Sequence, residues 1–163
     1  MPQLLVSDAN IVIDIHCGVL IDRIFALRYE FAIPDLLFEE ELKVAYPTLP
    51  QQGFRILELA AEGVDLVVRL SVKHARSGCS RNDLFALALA VQEHAPLLTG
   101  DARLRELCKA EGREVHGTLW LVQQLHDAQR LTALEARQAY EAMQAQGRRL
   151  PWVEIERQLR TFR

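Results

Sequence analysis

The sequence predicts an α/β protein with an open, mostly parallel sheet of four or five strands, helices on both faces and extra C-terminal helices. The alternation of two kinds of segment predicts this class. Short apolar segments rich in β-branched residues alternate with longer segments whose apolar residues recur at helical spacing. The chain has 163 residues, half of them apolar and a quarter charged, so it is long enough to bury the core of one domain.

The first elements alternate between strand and helix. Residues 4–7 are predicted to form a buried strand, and residues 10–27 a helix with an apolar face. Residues 31–33 are predicted to form a second strand. Pro34 can open the next helix, because proline is tolerated in the first helical turn, and Pro47 ends it.

The middle of the chain continues this order. Residues 51–62 are predicted to form a helix, and residues 64–70 a third strand, because β-branched and polar residues alternate there. Residues 80–94 are predicted to form a helix, and residues 96–101 a fourth strand that ends on an acidic residue. The alternation favours crossover connections between parallel strands.

The last third of the chain is predicted to be mostly helical. A helix follows the fourth strand and stops at Gly112, and residues 113–117 are compatible with a fifth strand. Helical spacing continues from Thr118 onward, and Thr132 and Glu135 have the spacing of a capping box at the start of one helix. A final helix completes the predicted C-terminal part.

Cysteine content and the N-terminal sequence bear on the compartment. Cys17, Cys79 and Cys108 are odd in number and lack CxxC spacing, which argues against a disulfide framework or a zinc site and predicts reduced thiols in a cytoplasm. We predict no signal peptide and no membrane partner, because no apolar run approaches the roughly 20 residues that a membrane span needs. The net charge of −3 neither predicts nor excludes a nucleic-acid partner.

Four acidic residues are predicted to meet at one edge of the sheet. Asp8 follows the first strand and Asp101 the fourth, and in open α/β sheets the functional site lies beyond the carboxyl ends of the strands. Asp83 lies early in its helix, and Glu40 lies in the second turn of the helix that Pro34 opens. Charged carboxylates in close proximity repel each other unless a cation offsets them. Oxygen ligands of this kind select Mg²⁺ or Mn²⁺ over zinc.

Each acid also has an ordinary structural interpretation. Asp83 follows Ser80 by three residues and can cap its helix, and Asp101 can be the N-cap of the helix that follows it. The acidic run at residues 39–41 can be a solvated helix face. The prediction of a metal site therefore depends on the four acids together and not on any one of them.

Four segments occur in an order and at separations typical of a known family. They are LLVSDANIVIDI, AIPDLLFEEEL, SRNDLFALALA and LLTGDARLRELCKAEGREVHGTLWLV. Together they resemble the four motifs of PIN domains, including the toxin ribonucleases of bacterial toxin–antitoxin pairs and their prokaryotic relatives. The resemblance covers about residues 4–125, and the helices beyond are similar to those of a PIN-like subgroup with a C-terminal extension. We therefore predict a nuclease domain at 1–125 and a helical extension at 126–163.

The resemblance implies a Mg²⁺- or Mn²⁺-dependent endoribonuclease with an acidic pocket. Asp8, Asp83 and Asp101 match the acids that bind metal in the family. Asn10 matches the polar residue that supports the first acid, and Thr99 matches the hydroxyl residue before the last acid.

The acid of the second motif has two candidates. Counting six residues from the proline that opens the helix gives Glu40, whereas counting to the acid before leucine gives Glu41. Helical phase favours Glu40, which would share a face with Leu36 and Val44. Arg81 is a candidate for binding a substrate phosphate, and a solvent-facing arginine is the alternative.

The resemblance also implies partners: an RNA substrate, a cognate antitoxin and a second copy of the chain in a homodimer. The sequence is compatible with two other functions. One is a degenerate PIN domain that binds partners without turnover. The other is a phosphoryl-transfer α/β hydrolase in which Asp8 accepts the phosphoryl group, but such enzymes usually carry D-x-D where this chain has Asn10 in the third position. The sequence also lacks the G-x-x-x-x-G-K loop that cradles nucleotide phosphates.

Overall fold

Five parallel strands form the central sheet of the computed structural model, which describes residues 2–163. The strands are β1 (Gln3–Ser7), β2 (Tyr29–Pro34), β3 (Arg55–Leu57), β4 (Leu97–Leu98) and β5 (Val115–His116). Their order across the sheet is β3-β2-β1-β4-β5. In the central strand, Leu5 pairs with Phe31 of β2, and Val6 pairs with Leu97 of β4. The predicted α/β class with an open parallel sheet is confirmed.

Both faces of the sheet are covered. Leu5 and Val6 are adjacent in β1 and therefore point to opposite faces, and both are fully buried. The helices in the described part of the chain are α1 (Ala9–Cys17), α2 (Ile21–Ile24), α3 (Asp35–Leu37), α4 (Leu49–Gln52), α5 (Ala61–Lys73), α6 (Arg81–Gln92), α7 (Ala102–Ala110), α8 (Thr118–Asp127), α9 (Ala133–Ala145) and α10 (Trp152–Thr161). A π-helical turn, Phe38–Leu42, continues α3 directly.

The helix predicted at residues 10–27 is interrupted after Cys17. Val19 has a positive φ of 58°, which turns the chain before α2 begins. Gly18 allows a close approach of α9, because a Cβ at this position would lie 2.6 Å from the Cε of Met143. The first helix is therefore split where the C-terminal helices pack against it.

The third strand was predicted in the wrong place. Residues 64–70 belong to helix α5, and β3 lies inside residues 51–62, which were predicted to be helical. In α5 the side chains of Val67 and Leu70 are buried while Val68 is exposed, which is helical spacing. Packing against α6 thus overrides the strand preference of the β-branched residues.

The C-terminal helices share the core of the sheet domain. The side chain of Tyr140 in α9 is fully buried, and its hydroxyl donates a hydrogen bond to Oε1 of Gln158 in α10 at 2.6 Å. Both predicted C-terminal helices are present, and α9 begins with the predicted capping box of Thr132 and Glu135. The predicted boundary near residue 125 stays a prediction. Between residues 2 and 163, no helix has the length and apolar character needed to cross a membrane.

Candidate functional site

The order in which strands are added to the sheet reverses at β1. The strands that follow it first, β2 and β3, lie on one side, and β4 and β5 lie on the other. Chains leaving β1 and β4 therefore diverge and leave a crevice beyond their carboxyl ends, which is where open α/β sheets bind ligands. Asp8 directly follows β1, and its backbone N–H donates to the carbonyl of Leu98 in β4 at 3.0 Å. Asp8 thus lies at the crevice.

Asp8 is a buried carboxylate with only 3% of its surface exposed. It caps α1, since its Oδ1 accepts a hydrogen bond from the backbone N–H of Ile11 at 2.9 Å, and its Oδ2 accepts one from the hydroxyl of Thr99. Burial raises the pKa of Asp8 from 3.8 to about 7, although these two hydrogen bonds lower it. The nearby carboxylates of Asp83 and Asp14 raise this pKa as well. The charge of Asp8 is therefore poorly compensated.

Thr99 connects the acids that follow β1 and β4. It is fully buried, donates to Asp8, and accepts a hydrogen bond from the backbone N–H of Asp101 at 3.1 Å. Asp101 is the N-cap of α7, and its Oδ1 accepts hydrogen bonds from the backbone N–H groups of Arg103 and Leu104 at 2.8 and 3.1 Å. The capping role of Asp101 is present, and the same residue lies beside the Asp8–Thr99 pair.

Asp83 lies on a third element of the same edge. It forms a capping box at the start of α6, where its Oδ2 accepts from the backbone N–H of Ser80 at 2.8 Å. Its charge raises the pKa of Asp8, and the charges of Asp83 and Asp101 both raise the pKa of the Cys79 thiol, although burial is the largest cause there. Asp8 is therefore connected to Asp101 through Thr99, and the charge of Asp83 is close enough to Asp8 to affect its pKa.

Residues 4–163 match the model of the family DUF3368, described as a PIN domain. The chain belongs to the PIN domain family. It is similar in fold to the crystal structure of PAE2754 from Pyrobaculum aerophilum, with 20% sequence identity, a TM-score of 0.53, and coverage of 76% of this chain and 89% of that chain. No curated protein sequence matches this PIN domain significantly. PIN domains are generally nucleases and usually use divalent metal ions.

Glu40, the favoured candidate for the second-motif acid of this PIN domain, is hydrogen-bonded to Arg81 and Asn82 and not to Asp8. Glu40 lies in the π-helical turn, and its Oε1 accepts from Nη2 of Arg81 at 2.7 Å. The expected helical phase is absent, because the π turn alters the spacing and Val44 is 98% exposed. Arg81, predicted as a substrate contact, forms an exposed ion pair with Glu40, and its contact with substrate stays a prediction.

Asn82 is a site residue that the sequence analysis missed. Its Nδ2 donates to Oε2 of Glu40 at 3.1 Å and to Oε2 of Glu41 at 3.0 Å, so it contacts both candidates for the second acid. Its Oδ1 is buried and has no hydrogen-bond partner among the described residues. The only signal in the sequence is its position between Arg81 and Asp83, in the first turn of a helix that faces the site.

Arg148 is a second residue that the sequence analysis missed. It follows α9, and its Nε donates to Oδ1 of Asp14 at 2.6 Å, while Oδ2 of Asp14 accepts from the hydroxyl of Thr118 at 2.8 Å. Nη2 of Arg148 also lies 3.4 Å from the carbonyl oxygen and from Oδ1 of Asn10. Asn10, expected to support Asp8, therefore lies beside the guanidinium group of Arg148 from the C-terminal part of the chain.

The donor atoms at this edge have the chemistry that a hard cation requires. Carboxylate, hydroxyl and amide oxygens predominate, and the unpartnered Oδ1 of Asn82 is an oxygen that a cation or its bound water would satisfy. Across residues 2–163, no three His, Cys, Asp or Glu side chains are already placed around one ion position. The donor set fits Mg²⁺ or Mn²⁺, and its acidic side chains need to turn toward each other to share an ion.

Proposed function

We propose that this PIN domain is a Mg²⁺- or Mn²⁺-dependent endoribonuclease. The observation that carries the proposal is the buried carboxylate of Asp8, which lies where the strand order reverses. This carboxylate accepts a hydrogen bond from Thr99 and is close to the charge of Asp83. A buried acid with acidic neighbours destabilises the fold, and acids in such an environment are found preferentially at functional sites. Because PIN domains are generally nucleases, the expected function of this acid is in the cleavage of a nucleic acid.

In this proposal Asp8, Asp83 and Asp101 hold the metal, and Glu40 joins them directly or through water. When bound, the metal supplies a water of lowered pKa and offsets negative charge on the phosphate oxygens. Thr99 fixes the orientation of Asp8 by donating its hydroxyl hydrogen. The expected products carry 5′-phosphate and 3′-hydroxyl ends.

Arg81 extends the proposal to the substrate. Its side chain is 64% exposed and lies at the start of α6, two residues before Asp83. Since an exposed ion pair is weak, the guanidinium can exchange Glu40 for an RNA phosphate, which would release Glu40 toward the metal. Asn82 would still hold Glu40 or Glu41 near the site.

Metal dependence is the direct test of this function. We expect the purified protein to cleave single-stranded RNA with Mg²⁺ or Mn²⁺, to lose cleavage in EDTA, and to regain it when metal is restored. Asp101→Asn should reduce the cleavage rate by roughly 100-fold or more, because a metal ligand is lost. Asp65→Asn removes the same charge from an exposed position on α5 and is the matched control. Cleavage that persists in EDTA or in Asp101→Asn would contradict the proposed site.

A non-catalytic PIN module is the second candidate. It is favoured by the hydrogen bonds that already engage the acids, since Asp8, Asp83 and Asp101 all cap helices and Glu40 pairs with Arg81. Such a module would bind RNA or a protein partner without cleavage under any metal condition. The parent protein and Asp101→Asn would then behave alike in the cleavage assay.

We propose further that the protein acts in a bacterial cytoplasm as the toxin of a toxin–antitoxin pair, as a homodimer controlled by an antitoxin. The resemblance of its four motifs to those of toxin ribonucleases supports this role. Expression in a bacterial host without an antitoxin should arrest growth, and Asp101→Asn should abolish the arrest while Asp65→Asn retains it. Growth indifferent to the parent protein would contradict the toxin role and leave the nuclease activity to be judged by the cleavage assay.

A further inference from the structure

A cleft of about 490 Å³ lies at the same edge of the sheet as the acids. Gly100, which is between Thr99 and Asp101 in the chain, lines it, as do residues at the carboxyl end of β5 and the start of α8. The segment after α9, residues 149–151, forms another part of its wall. The volume is in the range of sites that bind small molecules or single nucleotides.

One wall of the cleft is aromatic and held in place. His116 and Trp120 both line the cleft, and their rings stack with centroids 4.1 Å apart and planes 12° apart. The ring of Tyr29 lies 5.6 Å from that of Trp120 at an angle of 50°. Aromatic and histidine rings of this kind are surfaces on which unpaired RNA bases stack.

The cleft also presents guanidinium groups. Arg149 lines it, is exposed, and has no hydrogen-bond or ion-pair partner among residues 2–163. Arg105 lines it too, and its Nη2 donates to the carbonyl of Thr99 at 3.0 Å. Of the two acids in the lining, Asp14 is neutralised by Arg148, and Glu154 is the other. The lining therefore has cations available for a phosphodiester.

The Arg148–Asp14 ion pair explains why Arg149 lies at this wall. The ion pair attaches the segment after α9 to helix α1, which begins at the metal-site acid Asp8. Arg149 is the next residue along the chain, so the ion pair also holds its side chain at the wall of the cleft. Arg149 therefore lines the same cleft as Gly100, the residue that precedes Asp101 in the chain.

We propose that this cleft binds one nucleotide of single-stranded RNA adjacent to the scissile phosphate. The base stacks on the wall formed by His116 and Trp120, and a phosphate contacts Arg149. This inference rests on the proposed ribonuclease function, which it deepens by giving the substrate strand a path from the acids into the cleft. It assigns specificity for unpaired RNA, because a stacked base must first be free of its pairing partner.

Binding without cleavage tests the cleft separately from the nuclease. The chain has two tryptophans, so Trp152→Phe leaves Trp120 as the only tryptophan and serves as the parent for all variants. In EDTA, a ten-nucleotide single-stranded RNA of mixed sequence is expected to quench Trp120 fluorescence. Arg149→Ala and His116→Ala should each weaken this affinity by about fivefold or more. Arg69→Ala, which removes an exposed arginine from α5, should leave affinity unchanged.

His116 is half-buried and stacked on Trp120, so its replacement by alanine could weaken binding through loss of folding or through loss of the ring. Two controls separate these effects. His116→Phe retains a stacking ring and should bind within about twofold of the parent, and thermal unfolding identifies any variant that is not folded. Unchanged affinity in both Arg149→Ala and His116→Ala would overturn the cleft proposal, even if the parent cleaves RNA with Mn²⁺. Weakened binding in both, in a protein that cleaves no RNA, would support the cleft and contradict the nuclease.

Discussion

Asp8→Asn is expected to abolish RNA cleavage and at the same time to stabilise the folded protein at neutral and alkaline pH. Asparagine has nearly the same shape and can still accept the hydrogen bond from the N–H of Ile11, so α1 keeps its cap. It removes the charge that the proposed metal site needs. We expect the cleavage rate to fall by roughly 100-fold or more.

The stabilisation follows from the pKa of Asp8. The folded-state pKa of about 7 lies above the ordinary value of 3.8, so the folded protein binds the proton more tightly than the unfolded chain does. The stability gained from the protonated Asp8 is fully present below about pH 4 and is lost as the pH rises through about 7. Above pH 7 the charged form costs up to about 4 kcal/mol relative to a neutral group. Asparagine avoids that cost.

Thermal unfolding in EDTA at pH 8 and pH 5 measures the effect. We expect Asp8→Asn to raise the melting temperature at pH 8 by several degrees, at about 2–4 °C per kcal/mol for a protein of this size, and by less at pH 5. Asp65→Asn, which alters an exposed acid, should change neither value appreciably. A lower melting temperature for Asp8→Asn at both pH values, with cleavage retained, would contradict both the electrostatic and the functional assignment of Asp8.

Arg148→Ala is expected to destabilise the protein strongly. Asp14 is 8% exposed, and the variant would leave its carboxylate buried with the hydroxyl of Thr118 as its remaining side-chain partner. Loss of one member of a buried ion pair costs about 3–5 kcal/mol, and we expect about 2–3 kcal/mol here because the Arg148 side chain is 24% exposed. The melting temperature should fall by about 4–12 °C.

Two variants make this result specific. Arg149→Ala removes the neighbouring exposed arginine and should change the unfolding free energy by no more than about 0.5 kcal/mol. Adding Asp14→Asn to Arg148→Ala should recover part of the lost stability, because the uncompensated charge is removed. Chemical denaturation measures all four free energies. Equal effects of Arg148→Ala and Arg149→Ala would show that the Asp14 pair has no stabilising role.

Local signals in the sequence were sufficient for the central strands and for the acids that follow them. β1 is short, apolar and followed at once by Asp8, and β4 is followed by Thr99 and Asp101, so strand ends and helix starts could be assigned from neighbouring residues. The same signals could not place β3. Its neighbour α5 contains β-branched residues whose helical state depends on packing against α6, a contact that no local pattern reveals.

The residues that local reasoning could not find at the site are joined over long separations. Arg148 and Asp14 are 134 positions apart, and Asn82 and Glu40 are 42 apart. Neither pair shares a motif or a helix face in the sequence. The family motifs predicted which acids belong to the site, but the π-helical turn that positions Glu40 against Arg81 became visible only in three dimensions.

Three helices begin at the edge of the sheet that carries the candidate site, and an aspartate takes part in capping each of them. Asp8 caps α1, Asp83 belongs to the capping box of α6, and Asp101 caps α7. The peptide dipoles of a helix add up to roughly half a positive elementary charge at its N-terminus. Three such ends directed at one crevice lower the negative potential that the carboxylates would otherwise create. A polyanionic strand therefore meets a weaker electrostatic barrier here than the number of acids alone would suggest.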